Sequence, residues 1–273
     1  DSPRIAQLRK AHKDEIEESV SKRAFSALGT GFHNVMENAV GDGNGVITEE
    51  RIFWDHPSGL RVSGAIDLQI IKDDGTTILV DYKVTGVYGV ILNKKNGGVK
   101  PDWERQLNSY RYLLQKAKGI EVSELYILTM LRDWKQSDVG KPDYPDAPIM
   151  QIPVPLWSWQ DIEDFVEERI SLHGKAAYSA LIGEELPFCT AEEMWERPEK
   201  FAVMKSTTNK RASRLLDSMD EAIEWAEDPM NGMDSKHVID HRPGKRVRCQ
   251  DWCEVSQFCS QYKKYLEQND GGL

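Results

Sequence analysis

Two apolar runs, GAIDLQII (64–71) and TTILVDYKV (76–84), are joined by the turn signal KDDG at 72–75. Both are rich in Ile, Leu and Val, yet each carries charge at its centre: Asp67 in the first, Asp81 and Lys83 in the second. An unpaired buried ion costs several kcal/mol, so this pattern restricts how the runs can pack. Successive strand residues point to opposite faces. Leu79, Asp81 and Lys83 therefore share one face, with Ile78, Val80, Tyr82 and Val84 on the other. Likewise Ala65, Asp67 and Gln69 oppose Ile66, Leu68 and Ile70. If the runs pair across the turn, two carboxylates and one ammonium converge. That face is either a solvated side with a simple Asp–Lys pair or a metal site. Two carboxylates offer hard oxygen ligands to Mg²⁺ or Mn²⁺, and a lysine can orient and deprotonate an attacking water.

The surrounding chain supplies helices and further strands. RIAQLRKAHKDEIEESVSKRAF (4–25) is polar and helix-compatible, and GTGFHNVMENAV (29–40) continues as a helix with Phe32, Val35, Met36 and Val40 at helical spacing. Residues 45–71 read as two strands broken by DHPSG, and 76–84 as a third; these three are expected to be antiparallel. A Gly- and Lys-rich loop at 93–100 leads to DWERQLNSYRYLLQKAKG, an amphipathic helix closed by Gly119. VSELYILTML (122–131) is a fourth strand, PIMQIPVPL (148–156) a short fifth, and 157–183 a long helix. Helix, three strands, helix and strand in this order predict an α/β core over residues 1–185. Residues 186–273 then form a small α+β, cysteine-containing domain, with a strand–strand–helix–strand unit and a loose tail, EQNDGGL.

Two further pairs fall at helical spacing. His33 and Glu37 lie four apart on the early helix, and Gln106 and Tyr110 four apart on the later one. The order Gly-x-x-x-His-x-x-x-Glu, Gly-x-x-Asp, Asp-x-Lys, Gln-x-x-x-Tyr, in GTGFHNVME (29–37), GAID (64–67), DYK (81–83) and QLNSY (106–110), resembles the RecB-like branch of the PD-(D/E)XK nucleases. The resemblance spans residues 25 to 130. It implies a restriction-endonuclease-like core, a mixed central sheet flanked by helices. It further implies that His33, Asp67 and Asp81 bind Mg²⁺ or Mn²⁺, with the Tyr82 carbonyl as a further ligand, and that Lys83 activates water. Gln106 and Tyr110 would contact DNA or brace the site, and Glu37 would assist through water or metal. The proline of the superfamily name is absent before Asp67, where Ile66 stands.

All four cysteines lie late in the chain: Cys189, then Cys249, Cys253 and Cys259, with gaps of three and five residues within the trio. No apolar run is long enough to cross a bilayer and the opening lacks the apolar centre of an export signal, so a cytoplasmic protein is expected and metal is favoured over disulfides. Four thiolates suit tetrahedral zinc. One remote cysteine plus a late trio also resembles the four-iron, four-sulfur staple of CRISPR-associated exonucleases and helicase-nucleases. Here the remote cysteine follows the core, and the first gap is three rather than two; the resemblance still makes a four-iron, four-sulfur cluster the expected group, with zinc as the alternative.

A net charge of −10 argues against a non-specific DNA coat, although 93–100, 204–214 and 241–248 are locally basic. The resemblance implies a DNA exonuclease acting on ends or single strands, in a phage or a recombination pathway. An endonuclease of the same fold and a non-catalytic nucleic-acid-binding module are the alternatives. The sequence contains no Gly-x-x-x-x-Gly-Lys-Ser/Thr loop, so any helicase partner is a separate protein.

Overall fold

A computed structural model describes residues 2–17, 20–41, 43, 45–95, 99–232 and 236–270. Part of the basic stretch at 93–100 and the last three residues of the tail lie outside the described residues. The chain divides into two compact units, one of Glu18–Gly174 and one of Asp1–Glu17 with Lys175–Leu273.

Helix α1 (Pro3–Ala11) belongs to the second of these. The first opens with α2 (Val20–Val40), followed by β1 (Val46–Asp55), β2 (Arg61–Ile71) and β3 (Thr77–Thr85). Next come α3 (Val87–Lys95), α4 (Pro101–Lys118), β4 (Val122–Leu131), β5 (Ile149–Val154) and α5 (Trp159–Ile182), of which the residues from Lys175 on belong to the second unit. The strands form one sheet in chain order, β1-β2-β3-β4-β5. β1 with β2 and β2 with β3 pair antiparallel, as expected, β3 and β4 run parallel, and β5 returns antiparallel. A parallel pair needs a crossover, and α3 and α4 provide it. α4 ends where the glycine predicts: Gly119 takes φ 69° and its N–H bonds the Gln115 carbonyl.

Helices cover both sheet faces. On one side Ile66, Leu79 and Ile127 pack with Leu107 and Leu114 of α4; on the other Leu68, Val80 and Tyr82 pack with Phe32 of α2. Two details depart from the sequence reading. Val35 and Val40 are 64% and 41% exposed, because α2 needs only a narrow stripe, Phe32 and Met36, to cover its part of the sheet. Residues 87–92, left unassigned, and the first part of the expected loop form α3, whose Val87 and Val90 bury against Leu131.

A third departure matters for function. Ile66 and Leu68 should share a face, yet Ile66 joins the α4 side and Leu68 the α2 side. β2 changes face at Asp67. Opposite it, β1 does the same at Glu49, between the pairs Thr48–Leu68 and Glu50–Ile66, and Glu49 has φ 48°. A left-handed residue inside a strand breaks the two-residue alternation.

In the second unit β7 (Lys200–Met204) lies between β8 (Arg214–Leu216) and β9 (Val238–Arg242), covered by α6 (Met219–Glu227). β6 (Glu196–Arg197) pairs with β10 (Lys245–Arg246), and α7 (Ser260–Asp270) follows. The strand–strand–helix–strand order is the one read from the sequence, whereas the division at 185/186 is not where the contacts divide. Residues 1–17 join the cysteine-containing unit, and Arg4 shows how: it donates to the Leu186 carbonyl at 2.6 Å and to Glu185 at 2.7 Å. Among the described residues no helix is long and apolar enough to cross a membrane.

Candidate active site

The ladder between β2 and β3 reaches Leu68–Val80 and stops. One residue further, the Asp67 carboxylate takes up the freed backbone: its Oδ2 accepts a 2.7 Å hydrogen bond from the Tyr82 N–H. This keeps a buried N–H satisfied where the strands separate. Asp67 and Asp81 are 6% and 2% exposed, so the charged positions are interior.

Each neighbour reaches the carboxylates from a different element. From α2, His33 Nδ1 lies 3.6 Å from Asp67 Oδ1 and 3.3 Å from Glu49 Oε1, with its ring edge-on to Tyr82 at 5.5 Å. From α4, Gln106 Nε2 donates to Asp81 Oδ1 at 2.9 Å and to the Tyr110 hydroxyl at 2.8 Å. From β3 itself, Lys83 Nζ sits 2.6 Å from Asp81 Oδ2, but off the line of a hydrogen bond. That buried oxygen therefore has an ionic neighbour and no aligned donor.

Gly64 of the GAID stretch lets α4 come close. A Cβ there would stand 2.7 Å from Tyr110 Cε1 and 3.3 Å from Leu113, so a side chain would push Tyr110 off its bond to Gln106.

The electrostatics are those of acids crowded away from water. Burial, reinforced by Asp81, raises the Asp67 pKa to about 7, against the pull of the Tyr82 N–H and His33. Burial also raises Asp81, with Lys83 opposing it. Burial pushes the hydroxyls of Tyr82 and Tyr110 up to about 12. Carboxylates held in this way gain from a cation that replaces the missing water.

Among the described residues, His33, Glu49 and Asp67 form a group whose ligand atoms lie within 4.8 Å of one another. An imidazole and two carboxylates suit a hard divalent ion. Glu49 was not singled out in the sequence, where EERIFWD reads as ordinary strand; the left-handed φ that turns it inward has no sequence signal at a glutamate. Asp81 stands outside that group yet is electrostatically joined to Asp67. Glu37 is half-buried on α2 and outside the group. Tyr82 enters the site through its N–H. Gln69, expected beside Asp67, donates instead to Glu50 at 2.8 Å, which also pairs with Lys118.

The four cysteines line a single pocket of the other unit. Burial raises the Cys189, Cys249 and Cys253 thiols, Cys249 to about 11, where Cys253 adds to the effect. Crowded sulfurs resist ionising without a cation, which a bound metal group would supply. The Gln261 side chain clamps Cys189, accepting from its N–H at 2.8 Å and donating to its carbonyl at 2.9 Å. Of the basic stretches, His241 pairs with Glu199 and Arg242 with Asp240, whereas Arg248 lies 5.6 Å over Trp195.

No curated protein matches the chain significantly. Twelve solved chains do, among them one described as the crystal structure of SSO0001, at 19% identity and a TM-score of 0.41, covering 62% of this chain and 71% of that one. The profile of the PD-(D/E)XK nuclease superfamily matches residues 3–260, which take in α2, the whole central sheet and all four cysteines. The chain belongs to the PD-(D/E)XK nuclease superfamily.

Proposed function

We propose that this protein is a Mg²⁺- or Mn²⁺-dependent deoxyribonuclease of the RecB-like branch, working as an exonuclease on DNA ends or single strands. Membership of the superfamily supports nucleic-acid hydrolysis. The single observation that carries the catalytic reading is the wedge at Asp67: its bond to Tyr82 N–H opens the strands and holds it near Asp81, which lies beside Lys83.

His33, Glu49 and Asp67 would hold the cation, and Asp81 would add its charge through its neighbour Asp67. When bound, the ion offsets the charge that builds on the phosphoryl oxygens and makes water a better nucleophile. Hydrolysis adds water across a P–O bond, leaving a phosphate monoester and a hydroxyl. In its neutral amine form Lys83, next to Asp81, is placed to take a proton from that water. Gln106 holds Asp81 by one bond and Tyr110 by another, which fixes the acid's orientation. General acid–base groups contribute roughly 10²–10⁴-fold and positioned charge a similar factor, so both are needed for nuclease rates.

The cysteine pocket is read as the seat of a four-iron, four-sulfur cluster. What supports this reading is the arrangement of one remote cysteine and a late trio around one pocket, while tetrahedral zinc on the same four thiolates is the alternative. The role of the bound group is structural, tying 189 to 249–259 within one unit.

The test is incubation of anaerobically purified protein with end-labelled linear DNA and closed circular DNA, with and without Mn²⁺. Metal-dependent loss of label with circles intact supports the proposal. Cut circles make it an endonuclease, and binding without turnover makes it a non-catalytic module.

A further inference from the structure

α1 lies against the cysteines although 255 positions separate Arg4 from Cys259. Arg4 is 1% exposed and its guanidinium is engaged on every side. Nε donates to Cys259 Sγ at 3.2 Å, Nη1 to the Leu186 carbonyl, and Nη2 to Glu185 and the Ser260 hydroxyl. Ser2, 2% exposed, places its Oγ 3.1 Å from Cys189 Sγ. One short segment thus meets both the remote cysteine and a member of the trio. Two outer contacts seat it: Arg9 pairs with Glu254, and His12 stacks on Phe258 at 3.9 Å.

A neutral thiol is a weak acceptor and a poor reason to bury a guanidinium. A metal-bound thiolate is a good one: the bond becomes charge-assisted, and the arginine offsets negative charge gathered on the sulfurs.

We propose that Ser2 and Arg4 are positioning residues of the cysteine centre, donating to the ligand sulfurs of Cys189 and Cys259. Metal occupancy and docking of residues 2–11 then stabilise each other. The inference rests on the reading that the four cysteines hold a metal group. Linkage makes it reciprocal: whatever the bound group gains from α1, α1 gains from the bound group.

The experiment uses the full chain, purified without oxygen, with iron, zinc and sulfide measured first. Protein lacking both metals ends the reading of the cysteine centre, and this inference with it. On loaded protein, a chelator is expected to strip metal about 10–100-fold faster from Arg4→Gln than from wild type, with a smaller increase for Ser2→Ala and partial rescue by Arg4→Lys. Where the metal is an iron–sulfur cluster, Arg4→Gln also lowers its reduction potential, a shift that loss of packing alone does not predict. Trypsin is expected to cut stripped wild type after Arg9, Lys10 or Lys13 and to spare these sites in loaded wild type. Unchanged metal release in both donor variants, or equal cutting of loaded and stripped wild type, overturns the inference while the cysteine centre stands. Should Arg4→Gln fail to fold, Ser2→Ala and the wild-type protease comparison decide.

Discussion

The Asp67 carboxylate accepts its 2.7 Å hydrogen bond from the N–H of Tyr82, the residue between Asp81 and Lys83. One contact therefore does two things. It satisfies the backbone of β3 where β2 leaves it, and it fixes an acid next to a second acid and an amine. Fold and chemistry meet at that bond, which is why charges can stand at the centre of two apolar strands.

Loss of either β3 charge is expected to remove activity with the fold kept. Lys83 is a quarter exposed and Asp81 packs beside it, so neither fills a large core volume. Lys83→Ala should lower metal-dependent DNA cleavage by at least about 10²-fold, within the range for a lost general base. Asp81→Ala should do the same and also free Gln106. Circular dichroism and end-label release on the same purified samples check it; cleavage at wild-type rates in either variant removes these residues from the mechanism.

The Asp67 pKa gives a pH dependence with a definite sign. A carboxyl raised from 3.8 to about 7 on folding binds its proton more tightly in the folded chain. Stability then falls as pH rises between those values, and the cost is complete above about pH 7. Asp67→Asn keeps an acceptor for the Tyr82 N–H and removes the charge. In the absence of divalent metal it should raise the unfolding temperature at pH 8 and change it little at pH 4, while abolishing cleavage. Unfolding curves at the two pH values, taken in chelator, decide the matter; equal shifts at both would contradict the assignment.

The parts of this architecture that follow from local chemistry were legible in the sequence. Asp81 and Lys83 share the face that the two-residue period assigns them, and Gln106 and Tyr110 meet as four-residue helical neighbours do. Gly119 ends α4 because it accepts a positive φ. What stayed hidden depends on other elements. The face change at Asp67 arises from a partner strand that stops pairing, and Glu49 turns inward by a backbone conformation that glutamate does not advertise. α3 was hidden because its Val, Ile and Gly residues have weak helix propensity and only burial against Leu131 favours it. Arg4 is the extreme case: nothing near it in sequence announces a sulfur 255 positions away.

Gly64 tests how tightly α4 must approach β2. Gly64→Ala places a methyl 2.7 Å from the Tyr110 ring, inside any tolerated contact. Overpacking of this kind costs about 1–3 kcal/mol. It should also lower cleavage beyond what destabilisation explains, because displaced Tyr110 releases Gln106 and with it Asp81. Tyr110→Ala, with Gly64 kept, removes the same bond to Gln106 without crowding, so it should lose activity in the same way while its stability falls by the cost of a truncated ring, about 3–5 kcal/mol. Urea unfolding of the three proteins, with cleavage assayed well below each midpoint, separates the two effects.

Glu49 sets stability against function. At φ 48° the β-carbon of a glutamate crowds the backbone, at a cost of about 1–2 kcal/mol that glycine escapes. Its carboxylate is 3.3 Å from His33 and within ligand distance of Asp67, which is what the strained conformation provides. Glu49→Gly should therefore be more stable than wild type by about 1 kcal/mol in metal-free buffer, yet need higher Mn²⁺ for half-maximal cleavage. Glu49→Gln keeps the strained backbone and loses the charge, so it should show the weakened metal response without the gain in stability. Mn²⁺ titrations of cleavage beside unfolding curves in chelator supply both readings. A Glu49→Gly protein with unaltered metal response would mean that the residue is bent inward for some reason other than holding a cation.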